Sequence, residues 1–352
     1  MTNKKPVLVS GIQPTGRLHI GNYLGALKQF VELQNSGKYQ CYFFVADLHA
    51  LTENPSPKDL SQNIINLVID FFAVGLDPKK SVIFQQSQIQ SLQELKWVLG
   101  TLVPPGELLR MTAFKEKVLQ ALKPEEREKL TKEEFDKIVV STNYGLVEYP
   151  ILMAADILIF GGQFVPIGHD QLQHLELART IARKFNNRFG KIFVEPRPLL
   201  APTSRVMSLD DPTKKMSKSL PNGCLFLDDK PEDIRAKFRK AVTDSGSEIK
   251  FDEVNKPAIS NLLMIYSEFS GLTIAQIEAK FKNKNYSQFK EALAELVISY
   301  FEPFNKKKKL FQKKIVQVKK QLTAGSNKAH IVAYKKIQEV KKLIGLIPHL
   351  NN

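Results

Sequence analysis

The chain has 352 residues, 43% of them hydrophobic and 25% charged, which is long enough for two domains and ordinary for a globular protein with a proper core. Its formal charge of +15 is not ordinary, and points to an acidic partner such as nucleic acid or to an anionic membrane surface. Only Cys41 and Cys224 are present, far apart and outside any metal-ligand spacing, which argues against a disulfide scaffold or zinc module and fits a reducing cytosol.

The charge is local. Between Tyr300 and Asn352 there are thirteen Lys, no Arg and two Glu, so this tail holds +11 of the total and leaves +4 for everything before it. Met1 to Ser10 has no long apolar segment. The longest apolar run, Ile151 to Phe160, is interrupted by Asp156 and falls well short of the roughly 20 residues of a membrane span. A soluble cytoplasmic protein with no membrane attachment is expected.

In chain order, Val7 to Ser10 reads as a buried strand running into a loop with Pro14, Gly16 and Gly21. Tyr23 to Leu33 follows with helical spacing through Leu24, Leu27, Phe30 and Val31, and strand, Gly-rich loop and helix together open an α/β nucleotide site. Gln40 to Leu48 is expected to be the next strand, Asp59 to Phe72 a helix with Leu60, Ile64, Leu67 and Phe71 on one face, and Ser81 to Gln85 a third strand. Leu122 to Lys137 is dense in Lys and Glu, and reads as a solvated helical insertion or a mobile loop. Pro212 to Gly223 is polar and basic, a surface loop. Beyond about Pro231 the pattern turns helical, with Phe311, Ile315, Val318 and Leu322 at a helical period between lysines. No internal repeat and no Walker-type phosphate loop is present.

The expected fold class is therefore α/β: a doubly wound parallel-sheet, Rossmann-like catalytic domain over 1–205 with a charged insertion at about 118–144, a loop region over 206–230, and an all-helical C-terminal region over 231–352.

Two segments carry chemistry. In Gly11-Ile12-Gln13-Pro14-Thr15-Gly16-Arg17-Leu18-His19-Ile20-Gly21-Asn22, small residues let backbone N–H groups approach an anion, and the helix behind offers its positive end. His19 and Asn22 can donate to phosphate oxygens, although the same segment also serves as a plain strand-to-helix loop. In Lys215-Met216-Ser217-Lys218-Ser219, two lysines can close over a polyphosphate and neutralise a leaving group, where the bland alternative is a solvated basic loop.

Taken together, the two segments resemble those of class I aminoacyl-tRNA synthetases. His19-Ile20-Gly21-Asn22 stands where that family has its HIGH signature, and Lys215 to Ser219 matches its KMSKS signature letter for letter. The stretches Met153 to Leu158, Val165 to Gln171, Asp211 to Ser219 and Ala241 to Ser245 look like those of the bacterial tryptophan-specific members, over nearly the whole chain to about Tyr300.

The resemblance implies ATP as a substrate, with Mg²⁺ on its phosphates, L-tryptophan and tRNA(Trp) as partners, and a homodimer. It assigns His19, Lys215 and Lys218 to catalysis. Gln13, Pro14, Thr15, Gly21, Asn22, Gly168, His169, Asp170, Val206 and the Lys215, Met216, Ser217, Lys218, Ser219 loop would bind ATP. Asp156 would accept the indole N–H, Tyr149, Met153, Val165 and Ile167 would wall the ring, Gln171 would meet the α-amino group, and His49 would lie nearby. Lys115 and Lys117 are carried over as further basic candidates, and the basic tail would touch tRNA. His169 occupies a position that is often acidic in the family, and Val9 one that is often aromatic.

From the residues alone, Met153, Val165 and Ile167 also fit a core, and His49 a satisfied buried histidine. Asp156 is harder to dismiss: a carboxylate buried inside an apolar run costs several kcal/mol without a partner, so it needs a donor from a ligand or from a neighbouring side chain. A tyrosine-specific synthetase, a non-catalytic synthetase-like RNA-binding protein and a small-molecule nucleotidyltransferase are the competing readings.

Overall fold

The computed structural model describes residues 4–120, 130–200, 206–218, 220–246 and 248–346. Five strands, β1 (Val7–Ile12), β2 (Gln40–Val45), β3 (Ser81–Gln85), β4 (Phe164–Ile167) and β5 (Arg197–Leu200), form one parallel sheet in the order β3-β2-β1-β4-β5. Side chains alternate across it. Leu8, Phe43, Val45 and Ile83 face one core with Phe30, Leu67 and Phe71, while Val9, Tyr42, Phe44, Phe84 and Val165 face the other with Leu95, Leu158 and Phe185. Apolar residues on both faces are what a parallel sheet covered on both sides requires.

Local chemistry sets the helix ends. Ser56 caps the Pro57–Val74 helix by accepting from the Asp59 amide at 3.1 Å, and Gly75 ends it at φ +116°. The helix after the first strand is not regular: Ile20–Asn22 is α-helical, Tyr23–Leu27 is π-helical, and Lys28–Asn35 resumes the α-helix. The second strand stops at Val45 rather than Leu48, because Asp47–Ala50 is already a helical turn.

The charged segment is described in part. Lys132–Ser141 is a helix with no buried residue, capped by Thr131, and 121–129 lie outside the described residues. The apolar run belongs to the Tyr144–Leu158 helix, most of whose last nine residues are buried in the core. Among the described residues no single helix is long and apolar enough to cross a membrane.

Among the described residues after 230 the helices are Pro231–Lys240, Pro257–Ser270, Ile274–Lys280, Tyr286–Lys313 and Ile315–Leu343. Phe311 and Ile315 fall on opposite sides of a break at Lys314, so their helical period spans two helices. The last helix turns back and packs on the edge strand β3.

β1 and β4 are neighbours that belong to opposite halves of the winding, so the crevice lies at their carboxyl ends.

Candidate active site

A cavity of about 740 Å³ opens there. Gly11, Ile12 and Gln13 of the β1 end and Ile167, Gly168 and His169 of the β4 end line it together. At Gly11 a side chain is impossible without repacking, since a Cβ would stand 2.4 Å from the ring of Phe44, which also lines the cavity.

One end is apolar and closes on a carboxylate. Met153, Tyr149 and Asp156 reach it from the Tyr144–Leu158 helix, Val165 and Ile167 from β4, and His49 from the turn after β2. Asp156 is 2% exposed. Its Oδ2 lies 2.9 Å from Nε2 of His49, and Gln86 donates its amide to Oδ1 at 2.8 Å and Oδ2 at 2.9 Å. Burial pushes the Asp156 carboxyl up, and the His49 and Gln86 hydrogen bonds pull it back. Neighbouring side chains thus supply donors for Asp156.

Gln86 is the residue sequence reading missed. Its Oε1 accepts from the Leu48 amide at 3.1 Å, which turns its NH₂ toward the carboxylate. The available signal was positional: it directly follows β3, at the carboxyl end where the other site residues gather.

Tyr149 is held by a second histidine. Its hydroxyl lies 2.7 Å from Nε2 of His174, and Lys117 Nζ lies 4.9 Å from its ring centre. Burial, with the Glu116 and Asp170 charges, pushes the phenol up to about 12. Burial drives His174 down to about 4. Lys117 lines the cavity and Lys115 does not. Gln171 lines it too, with its amide bonded to Asp170 at 2.9 Å.

The other end is basic. His19 caps the helix start: its Nδ1 accepts from the Gly21 amide at 3.1 Å, while Asn22 Oδ1 accepts from the His19 amide at 3.1 Å. Burial, then the charges of Lys218 and Lys215, lowers His19 to about 4, so the ring is neutral. With Nδ1 an acceptor, the proton sits on Nε2, which is left as a donor. At Gly21 a Cβ would meet the His19 ring at 2.9 Å, which is why no larger residue follows there.

The basic loop is folded over this end. Met207 and Lys215 form an antiparallel bridge, Met216 is 2% exposed, and its amide donates to Val206 at 3.1 Å. Lys218 Nζ donates to Thr15 Oγ1 at 3.0 Å, and burial lowers its pKa. Gly21, Asn22, Asp170, Val206, Lys215 and Met216 line the cavity. Pro14, Thr15, His19, Ser217 and Lys218 do not, and Ser219 lies outside the described residues. A second strap ties the first signature to the segment that follows the basic loop. His19 bridges Phe226 in antiparallel fashion, and Arg17 pairs with Asp228 at 2.6 Å and Asp229 at 2.8 Å.

The family model for class I tRNA synthetases of the tryptophan (W) and tyrosine (Y) type matches residues 1–302. A tryptophan–tRNA ligase of Caldanaerobacter subterraneus subsp. tengcongensis is 46% identical over 342 residues, 96% of this chain and 98% of that one. A crystal structure of tryptophanyl-tRNA synthetase from Mycoplasma pneumoniae superposes with a TM-score of 0.84 at 35% identity, covering 98% of each chain. Another, from Campylobacter jejuni and complexed with ADP and tryptophan, superposes with a TM-score of 0.79 at 34% identity, covering 96% of this chain and 99% of that one. Cavity, paired signatures and full-length likeness agree, and the chain belongs to the class I tRNA synthetases of the tryptophan and tyrosine type.

Proposed function

We propose that the chain is a tryptophan–tRNA ligase, which activates L-tryptophan with ATP and transfers it to tRNA(Trp). The observation that carries this reading is one cavity with an apolar end closed by Asp156 and a basic end carrying Lys215. Relatives that are tryptophan–tRNA ligases at 40–46% identity over nearly their full length support the same substrate.

In the first step an oxygen of the tryptophan carboxylate attacks the α-phosphate of ATP, the bond to the bridging oxygen breaks, and pyrophosphate leaves. The nucleophile is already ionised near neutral pH, so no general base is needed. Catalysis is then positioning and charge neutralisation. The Nε2–H of His19 is available as a donor to a phosphate oxygen, and Lys215 and Lys218 neutralise the departing pyrophosphate. Gln13, Gly21, Asn22, Gly168, His169, Asp170 and Val206 surround the nucleotide in this reading, with Pro14, Thr15 and the 215–219 loop above its phosphates.

At the apolar end Asp156 accepts the indole N–H, with Met153, Tyr149, Val165 and Ile167 against the ring and Gln171 at the α-amino group. A carboxylate has about four lone-pair sites, and His49 and Gln86 occupy three, which leaves one on Oδ1. Mg²⁺ accompanies the triphosphate rather than a protein cage. Among the described residues no group of three His, Cys, Asp or Glu is placed to hold a metal, and Mg²⁺ is ordinarily carried on substrate phosphates.

Residues 1–205 form the catalytic unit in this proposal, 206–230 the closing loop, and 231–352 the part that meets tRNA in the cytoplasm. A homodimer fits the exposed Trp97, 76% accessible, and Tyr144, 72% accessible, on two helices that pack together.

The test is exchange of labelled pyrophosphate into ATP across the standard amino acids. Tryptophan should support exchange and tyrosine should give almost none. Equal or faster exchange with tyrosine would replace the substrate, and no exchange with any amino acid would leave a non-catalytic RNA-binding protein.

A further inference from the structure

The basic loop begins as a hairpin. Ser208 donates to Lys214 at 2.8 Å and Met216 to Val206 at 3.1 Å, which pairs Met207 with Lys215. In such a pair the N–H and C=O of Met207 itself point away from Lys215, leaving a one-residue strand edge. An edge of this kind, when buried, needs a partner.

That partner is a side chain. Asn261, 2% exposed on the Pro257–Ser270 helix, accepts from the Met207 amide at 3.0 Å and donates to the Met207 carbonyl at 3.1 Å. Its amide presents one donor and one acceptor, as the backbone of a neighbouring strand would. Both of its polar atoms are engaged, which fixes the amide orientation. The hairpin so held carries Val206, Lys215 and Met216, all of which line the cavity, and leads on to Lys218.

We propose that Asn261 is the positioning residue for the loop that closes over ATP, and that through it the helical part of the chain sets the nucleotide end of the cavity. The inference rests on the proposed function for its nucleotide arm only. Asn261 touches nothing at the apolar end, where the residues come from β4, the Tyr144–Leu158 helix and the turn after β2.

The experiment compares the native chain with Asn261→Ala and Asn261→Asp. Asp keeps the shape and the acceptor for the Met207 amide, but sets a carboxylate oxygen against the Met207 carbonyl. For Asn261→Ala, kcat/KM for ATP in tryptophan-dependent exchange should fall about ten- to a hundredfold, the range for two buried hydrogen bonds. Tryptophan affinity measured by equilibrium dialysis without nucleotide should stay within about twofold. Asp should lie between native and Ala. Amide hydrogen exchange supplies an arm independent of activity: the 206–216 segment should exchange faster in Asn261→Ala while the Pro257–Ser270 helix does not. A native chain without tryptophan-dependent exchange overturns the proposed function, and the hydrogen-exchange arm still decides the clasp. Parallel losses for ATP and tryptophan that track a lower melting temperature would make Asn261 a packing residue only. Unchanged ATP parameters, or unchanged exchange at 206–216, would overturn the proposal.

Discussion

At the scale of single residues, the most informative group is Asp156. The sequence marks it, because a charge inside Ile151 to Phe160 must find a donor, and the sequence reading favours a ligand over a neighbouring side chain as that donor. The structure supplies the neighbours, and they change what a substitution means. His49 and Gln86 aim donors at both carboxylate oxygens. Asp156→Asn therefore brings an NH₂ against one of them, a donor facing a donor. We expect kcat/KM for tryptophan to fall by about 1.5–3 kcal/mol, the scale of hydrogen bonds to charged groups, with a measurable loss of stability in a melt. A tryptophan analogue with sulfur in place of the ring N–H separates the two causes. If the free lone pair on Oδ1 takes the indole, the native enzyme discriminates against the analogue and Asp156→Asn discriminates less. Equal discrimination by both would make Asp156 a structural carboxylate satisfied by its two partners. Gln86 could not be read in advance, since its partner lies 70 positions away and a polar residue after a strand is ordinary in sequence.

At the scale of elements, periodicity located the first three strands, the helix after the second and the helical character beyond about Pro231; it did not locate β4, β5 or the Leu172–Phe189 helix, and it missed what happens where backbones meet. A glycine inside a helix reads as a weak point costing about 1 kcal/mol. Gly325, in the middle of the Ile315–Leu343 helix, has another role. A Cβ there would stand 1.9 Å from the carbonyl oxygen of Ile83, so its absence is what lets the helix lie directly on β3. Ser326, next to it, turns its hydroxyl oxygen to the sheet edge and accepts from the Gln85 amide at 3.2 Å. The helix thereby covers an edge that would otherwise present unpaired amides. Gly325→Ala, which raises helix propensity, should nonetheless destabilise the protein by about 1–3 kcal/mol in denaturant unfolding, the range for overpacking. The exposed Asn327→Ala serves as the control and should be near neutral or slightly stabilising. A stabilised Gly325→Ala would show that the helix shifts off the strand at no cost. The break at Lys314 was hidden for a related reason: Ile315 resumes the apolar pattern in phase, so the run looks continuous in sequence.

At the scale of the whole molecule, the question is where the +11 of the tail goes. A run such as Lys306 to Lys309 looks uniform, but the fold sorts it. Lys306, Lys307 and Lys309 are exposed, and the Lys306 pair with Glu302 is a surface pair of small worth. Lys308 points inward. Its side chain is 12% exposed and its Nζ lies 2.7 Å from Asp70 and 2.8 Å from Asp228, the carboxylate that also pairs with Arg17 beside the first signature. Burial pushes Asp70 up to about 6 even with Lys308 next to it. Removing Lys308 thus strands a buried carboxylate, and Lys308→Gln should cost about 3–5 kcal/mol of stability at pH 8. The sign with pH follows from the raised carboxyl: without Lys308 to lower it, Asp70 protonates at a higher pH in the variant than in the native fold. The defect should therefore be largest at high pH, shrink as pH falls toward about 6, and be lost below it, where Asp70 is protonated in both folds. Substituting all four lysines would confuse this loss with lost charge. The triple variant Lys306→Gln, Lys307→Gln, Lys309→Gln isolates the electrostatic part. It should fold as the native chain does and keep its pyrophosphate exchange. Its tRNA binding should be weaker, and the slope of log K against log salt shallower by about 1–3, in proportion to the phosphate contacts removed. An unaltered slope would mean that these three lysines face solvent and the RNA is gripped elsewhere. A slope that flattens only when Lys308 is replaced would assign the effect to a displaced helix rather than to charge.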